Sequence, residues 1–573
     1  MKRKIFGALV ATVLVLSFSL ATAVPVAAAV INVPADYPTI QAAIDAATAG
    51  DTINVAAGTY DLTAPIAVNK ALTLIGDTAH PENVVVNAGG IAGDDRDCFQ
   101  VMHDNVTIQG FKMINATTGT LWNPGCLNGG IMVGNWGDGM WDTGNDPVLS
   151  QLANLSGFDF SYNIFDTCSY GIYFFACSDA VICHNTFTNI YPSAAGFDGP
   201  CVLLYDTGYG PPGYAQNQYL IDSVTVSHNI MSGCKDGISL GTENYSGGQA
   251  GTISNVTVAD NDISGCTGVG TGFFSYRYDD TVLPPIWTNI NVNCNNITGS
   301  NWGVSIGGLK GSGWDTPDGF SLGGIHVNYN NISGNTMGFN VWTDSGMTTV
   351  DATMNWWGDA SGPTHSGNPG GTGDAVSDNV DYDPWLTAAV AGAKTGESPP
   401  TVGPTDVIDA EVEVLGGTGT LTVAQYEDNP GTGFSGDIGK YIDVHIVDPG
   451  TITELEIRLY YTDDEIEGLA ESSLRLYWWD GEDWVECSDS GVNPEDINDY
   501  SGYIWARIRD DTTPSLDDLT GTPFGGSGSP RAVGGTVYPV NKVSILMPWI
   551  GLALALALAG VFGTRLVRSR VRG

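Results

Sequence analysis

Seven short segments of this 573-residue chain align on an asparagine, and that alignment constrains the fold more than any other feature. They are Phe158-Asp-Phe-Ser-Tyr-Asn163, Val181-Ile-Cys-His-Asn185, Val224-Thr-Val-Ser-His-Asn229, Val256-Thr-Val-Ala-Asp-Asn261, Ile290-Asn-Val-Asn-Cys-Asn295, Ile325-His-Val-Asn-Tyr-Asn330 and Val350-Asp-Ala-Thr-Met-Asn355. The intervals from Asn163 onward are 22, 44, 32, 34, 35 and 25 residues. A unit of about 22 residues therefore carries inserts of variable length, and the interval of 44 is long enough for two units. Glycine follows eight residues after the asparagine at Gly171, Gly237, Gly303 and Gly338, and a short apolar strand follows the glycine. Short alternating strands between Asn and Gly turns predict parallel strands wound into a solenoid, with coils about 4.8 Å apart. Asn163, Asn185, Asn229, Asn261, Asn295, Asn330 and Asn355 read as a structural ladder. Asn tolerates the left-handed backbone of a sharp corner, and its amide can bond to the Asn one coil above.

The start of the repeat region, Val33-Pro-Ala-Asp-Tyr37-Pro-Thr-Ile40-Gln-Ala-Ala-Ile44-Asp-Ala-Ala47, predicts a cap helix with Ile40, Ala43, Ile44 and Ala47 on one face. Its end runs from Asn355-Trp356-Trp357-Gly358 through Asn368-Pro-Gly-Gly-Thr-Gly373 to Asp383-Pro-Trp385-Leu386. With the repeats between them, these segments resemble the right-handed parallel β-helix proteins of the pectin-lyase-like superfamily, including NosD-like cell-surface proteins. The resemblance implies a β-helix over 30–388. Function does not follow from the fold.

Outside that region the chain changes character. Residues 1–29 have a basic start (Lys2-Arg3-Lys4), an apolar run and small-residue cleavage patterns, and read as a signal peptide. Residues 389–406 read as a linker. Alternating strands such as Leu455-Glu-Ile-Arg-Leu-Tyr-Tyr461 and Tyr503-Ile-Trp-Ala-Arg-Ile508 predict a β-sandwich over 407–522. A Gly/Ser-rich stalk is expected over 523–542, a transmembrane helix over 543–564, and a basic cytoplasmic tail over 565–573. The predicted class is all-β: β-helix, small sandwich and C-terminal transmembrane helix, on a cell membrane with the large N-terminal part extracellular.

The chain carries 21 Lys+Arg against 63 Asp+Glu, a net charge of −42, and seven of the cations lie in the two termini. Such a body repels phosphate backbones, which excludes nucleic acid as a partner. The solenoid has six cations: Lys70, Arg96, Lys112, Lys235, Arg277 and Lys310. Their scarcity weighs against anionic substrates. Motifs of polygalacturonases (Asn-Thr-Asp, Gly-His-Gly, Arg-Ile-Lys) are absent, as are CxxC, HExxH and P-loop patterns. GxSxG occurs at Gly237, Gly303 and Gly319, at the first two within the repeat's own strand, and is structural.

Inserts in repeat proteins gather on one face, so a site is expected where the long excursions leave the strand after the Gly corner. Tyr209, Tyr245, Tyr276, Tyr278, Trp314 and Trp342 are the aromatic candidates for holding a glycan there. Arg277, Asp279 and Asp280 form the sharpest polar cluster, able to act as acid and base or to hold Ca²⁺, and equally able to solvate a loop tip. An earlier insert combines Trp122, Trp136 and Trp141 with Asp138, Asp142 and Asp146. No cofactor is required, and Ca²⁺ is the one admitted. Cys168, Cys234 and Cys266 each stand five residues after a ladder Asn and predict an inward column, where a Cys234–Cys266 bridge is conceivable. His184 and His228 share another column, two nitrogen ligands without a third.

Three functions follow in order of preference. The first is a membrane-anchored, non-catalytic surface protein, structural or binding an extracellular polysaccharide or envelope component. The second is a lyase, hydrolase or epimerase of uronate-type glycans working in a groove on one face. The third is a metal-handling protein.

Overall fold

The computed structural model describes residues 28–92, 96–117, 128–134, 155–191, 199–207, 220–244, 251–277, 285–310, 321–342, 349–397, 401–402 and 408–531, with residues 552, 553 and 556. The expected signal peptide therefore falls almost wholly outside the described residues, and so does most of 543–564. Among the described residues no helix is long and apolar enough to cross a membrane.

Successive coils supply one strand each to three parallel sheets, of 12, 9 and 9 strands, the first sheet running on beyond the other two at its ends. One coil shows the plan: Leu155–Ser161 in the first sheet, Ile164–Cys168 in the second and Tyr170–Phe175 in the third. The next coil stacks on it in register, with Phe160 beside Ile182, Phe165 beside Phe187 and Phe174 beside Leu204. Alternate residues of every strand point inward, where they fuse into one apolar core from Val33 to Val380. Rings stack along it, as Phe165 does on Phe187 at 4.6 Å and 5°.

The ladder forms as expected. The backbone N–H and Nδ2 of each Asn both donate to Oδ1 of the next, at 2.8–3.2 Å from Asn163 to Asn355, and no ladder side chain is more than 1% exposed. Nδ2 also donates to a carbonyl of the preceding coil, as Asn261 does to Val226 at 2.9 Å. Asn185 bonds directly to Asn229, so the interval of 44 residues is one coil with inserts.

The left-handed corner, however, belongs to the residue before the Asn. Tyr162, His184, His228, Asp260, Cys294, Tyr329 and Met354 have φ of 56–59°. The Asn keeps an ordinary backbone because its amide is needed inside, where it satisfies N–H and C=O groups that the turn leaves unpaired. A second left-handed column passes through Thr167, Asn189, Gly233, Gly265, Gly299 and Gly334.

The N-terminal end is closed by the helix Ile40–Ala46, with Ile40, Ala43 and Ile44 buried. Thr39 caps it by accepting from the Ala42 N–H at 3.1 Å. Lys70 donates to the carbonyls of Ile44, Asp45 and Ala47 at 2.8, 3.0 and 2.8 Å, a cation on the helix C-terminus.

Beyond the last coil, six-stranded and five-stranded antiparallel sheets enclose a second core. Two expected boundaries are corrected here. The expected linker 389–406 contains the strand Val390–Glu397, paired with Thr420–Tyr426. The expected stalk begins inside the strand Thr520–Ser527, whose Phe524 is buried. The module is docked on the solenoid: Tyr329, Met354 and Leu386 pack with Val390, Ala424, Tyr426 and Tyr441 in a shared apolar cluster. Asn331 and Val390 exchange two hydrogen bonds at 2.8 and 2.9 Å, and the Cys294 thiol donates to the Ala393 carbonyl. Apolar burial at this joint, absent from a flexible tether, is what orders the segment.

Candidate functional site

The third sheet has an outer face unlike the rest of the surface. Its inward residues (Ile172, Phe174, Leu204, Leu240, Phe273, Ile306) belong to the main core. Its outward residues Met132, Tyr173, Phe175, Leu203 and Tyr205 form a separate cluster with Phe274 against it. Register sets these side chains in columns. Phe175 stands beside Tyr205, Tyr205 beside Gly241, Gly241 beside Phe274 and Phe274 beside Gly307, and Trp342 follows one coil on.

From Tyr205 to Trp342, aromatic and glycine alternate for a steric reason. A Cβ at Gly241 would lie 2.2 Å from the Phe274 ring, and one at Gly307 would lie 3.0 Å from the Trp342 ring. Phe274 and Trp342 thus occupy the space that the glycine of the preceding coil leaves open; Tyr205 is buried at 8% exposure. Tyr205 and Phe274 are 6.0 Å apart at 30°, and Trp302 meets Trp342 edge-on at 6.1 Å. Trp342 is 38% exposed and donates from Nε1 to Ser305 Oγ at 3.2 Å. The adjacent outward column holds Tyr173, Leu203, Ser239, Gly272, Ser305 and Asn340. Nδ2 of Asn340 is buried and has no acceptor among the described residues.

The long inserts leave this sheet at one edge. Residues 135–154, 208–219, 245–250, 278–284, 311–320 and 343–348 each connect the end of a third-sheet strand to the start of a first-sheet strand. The expected gathering of excursions along one flank is met in the connectivity. Residues 118–127 and 192–198 instead enter the third sheet from the second.

The candidates named from the sequence divide accordingly. Tyr209, Tyr245, Tyr278, Asp279, Asp280 and Trp314 lie outside the described residues, as do the tryptophans and aspartates of the earlier insert. Tyr276 and Arg277 end the strand Val269–Arg277, with Tyr276 between Glu243 and Leu309 and Arg277 between Asn244 and Lys310. Two of the solenoid's six cations therefore occupy paired positions. Trp342 is the one aromatic candidate whose side chain is described, and it sits on the column.

Sequence reasoning missed Phe175, Tyr205 and Phe274, although a signal was present: Phe175, Gly241, Gly307 and Trp342 all stand twelve residues after a ladder Asn.

Carboxylates at the head of this sheet are committed to the fold. Asp97 accepts from the Gly129 N–H and Asp236 from the Val269 N–H, both at 2.7 Å. No carboxylate stands among the described outward residues of either column.

The His184–His228 column is a stack. The rings lie 5.0 Å apart at 4°, Tyr162 stacks on His184 at 4.8 Å, and Asp260 lies 3.9 Å from His228 Nε2. Burial, and then the neighbouring imidazole, push His184 below the usual histidine range. Rings face to face at this spacing do not converge on an ion that needs nitrogens about 2 Å away. Among the described residues no three His, Cys, Asp or Glu side chains cluster as metal ligands.

Three parallel sheets of matching register and a buried Asn ladder decide the architecture. The body of the chain is a parallel β-helix. No family model matches the chain, and no curated protein matches it. Among solved structures, the β-helix chain is similar to alginate lyase from Paenibacillus sp. str. FPU-7, at 14% identity over 61% of this chain and 99% of that one, with a TM-score of 0.28. It is similar to the A-module of the mannuronan C-5 epimerase AlgE4 of Azotobacter vinelandii at 16% identity, over 55% and 90% of the two chains, TM-score 0.23. It is also similar to a family 28 exopolygalacturonase of Yersinia enterocolitica at 12%, over 58% and 78%, TM-score 0.25.

Proposed function

We propose that this β-helix is a membrane-anchored, extracellular surface protein that binds a polysaccharide along the outer face of its third sheet without cleaving it. The observation that carries this reading is the aromatic–glycine column from Tyr205 to Trp342, on a sheet whose strand ends lead into six inserts and whose two described outward columns carry no carboxylate. Exposed Trp342 and half-buried Phe274 offer ring surface for the apolar face of a sugar, and half-buried Asn340 offers an amide beside them. Cleavage by acid and base would need two carboxyls about 5–10 Å apart across the bound chain, and neither of the two outward columns holds one. Support for the outside location is the apolar run 543–564 followed by four arginines, together with the N-terminal signal pattern.

One observation favours the second reading, an enzyme of uronate-type glycans. Arg277 and Lys310 stand at paired positions where the inserts leave, with Asp279 and Asp280 following in sequence. A panel of neutral glycans and polyuronates, with and without Ca²⁺, separates the two. Retention on immobilised glycan that Trp342→Ala abolishes supports binding at this face. Unsaturated products absorbing in the ultraviolet, or new reducing ends, refute the non-catalytic reading.

A further inference from the structure

A column of glycines runs up the inner edge of the third sheet, and one cysteine interrupts it. Strand register places Gly130, Gly171, Cys201, Gly237, Gly270, Gly303 and Gly338 one above another. The glycines are there because the position points into the next coil. A Cβ at Gly171 would lie 2.5 Å from the Phe187 ring, and one at Gly237 would lie 2.8 Å from Ile263 Cγ2.

Phe187, Met231 and Ile263 occupy one column of the second sheet. By the same geometry the Cys201 side chain, one coil earlier than Met231, is aimed at the turn that runs from Met231 to Cys234. Cys234 points the other way. Its sulfur lies 3.7 Å from the Phe187 carbonyl, which belongs to the coil of Cys201, and 3.3 Å from the Ser232 carbonyl. Both residues are fully buried; burial, and then the neighbouring Cys234, push the Cys201 thiol up, while Cys201 beside it holds the Cys234 thiol below the usual range. The bridge conceivable from sequence, Cys234 to Cys266, joins two residues of a single column; all nine described cysteines, these two included, are free thiols.

We infer that Cys201 and Cys234 are a disulfide-forming pair, cross-linking two adjacent coils when the chain folds in an oxidising compartment. The Cys234 thiolate attacks a low-molecular-weight disulfide, giving a mixed disulfide and releasing one thiol. The Cys201 thiolate then attacks the Cys234 sulfur and expels the second. Two protein thiols become one S–S bond, their two protons leave on the two released small thiols, and the external disulfide is the oxidant. Because the folded core seals both sulfurs, the exchange takes place before the coil closes.

The test uses the full chain refolded with mixed oxidised and reduced glutathione, and separately with reducing agent alone. Each sample is unfolded in N-ethylmaleimide, digested without reduction and analysed by mass spectrometry. The expected result is that two of the ten cysteines escape alkylation only in the glutathione sample. A single cross-linked peptide pair then carries Cys201 and Cys234. Cys266→Ser keeps this link and Cys201→Ser removes it. Reducing agent lowers the melting temperature of the oxidised wild type and leaves that of Cys201→Ser unchanged. Alkylation of all ten in both samples, or a link from Cys234 to Cys266, overturns the inference.

Discussion

Asp443 offers the sharpest test of how the two modules are joined. Its carboxylate is wholly buried at the joint, accepting from Tyr426 of the sandwich at 2.9 Å and Tyr329 of the solenoid at 3.2 Å. Burial raises its pKa from 3.8 to about 7, against the lowering effect of the two hydroxyls. Below pH 3.8 both folded and unfolded chains hold the proton. Above it the unfolded chain ionises while the folded one does not, so stability falls with pH until the folded group ionises near 7. At about 1.4 kcal/mol per pH unit over roughly three units, the loss is on the order of 4 kcal/mol.

Asp443→Asn keeps an acceptor for one tyrosine and cannot ionise, so its stability stays flat over the same range. Other groups near the joint titrate too. His326 is raised by its bond to Asp351; burial pushes Asp351 up, but its bonds to His326, Thr353 and Asn328 together bring it below the usual range; His445 is lowered by burial. They are common to both proteins and cancel in the difference. Urea midpoints of the full chain measured from pH 4 to pH 8 should converge for wild type and variant at the acid end and separate toward neutrality, with the variant above. Parallel curves would refute a buried, proton-holding Asp443.

Removing one rung, Asn261→Ala, strands the Asn229 N–H and the Val226 carbonyl inside the core, and should cost about 3–5 kcal/mol in chemical denaturation, with Asn261→Asp no better. Gly241→Val drives a side chain into the Phe274 ring; glycan retention should drop at least tenfold while circular dichroism stays unchanged, and undiminished retention would remove the column from the binding face. Arg458 holds Glu411, Glu413 and Glu456 at 3.1, 2.7 and 2.7 Å, so Arg458→Met should destabilise the sandwich by about 2–3 kcal/mol at low salt and less at 0.5 M salt, read from its melting transition. Lys70→Met leaves three helix-end carbonyls without their donor and should raise amide exchange in residues 40–47 before any other part of the solenoid.

The ladder, its inward column of cysteines, the cap helix and the six inserts that follow third-sheet strands were all legible in the chain, because each depends on local period: alternation by two along a strand and return to the same corner every coil. The rest depends on what stands one coil away. Inserts of different lengths separate Tyr205, Gly241, Phe274, Gly307 and Trp342, so only the strand register reveals that rings and glycines alternate in one column. The same is true of Cys201, which stands where the neighbouring coils have glycine, and so faces Cys234 rather than leaving that residue to Cys266. At the corners, composition pointed to Asn for the left-handed turn, whereas packing spends the Asn amide inside and gives the turn to its predecessor. The docking of the sandwich was equally hidden: the segment around Val390 is a run of small residues, mostly alanine, without strand alternation, and it becomes a strand only when Thr420–Tyr426 and the last coils supply partners for its backbone.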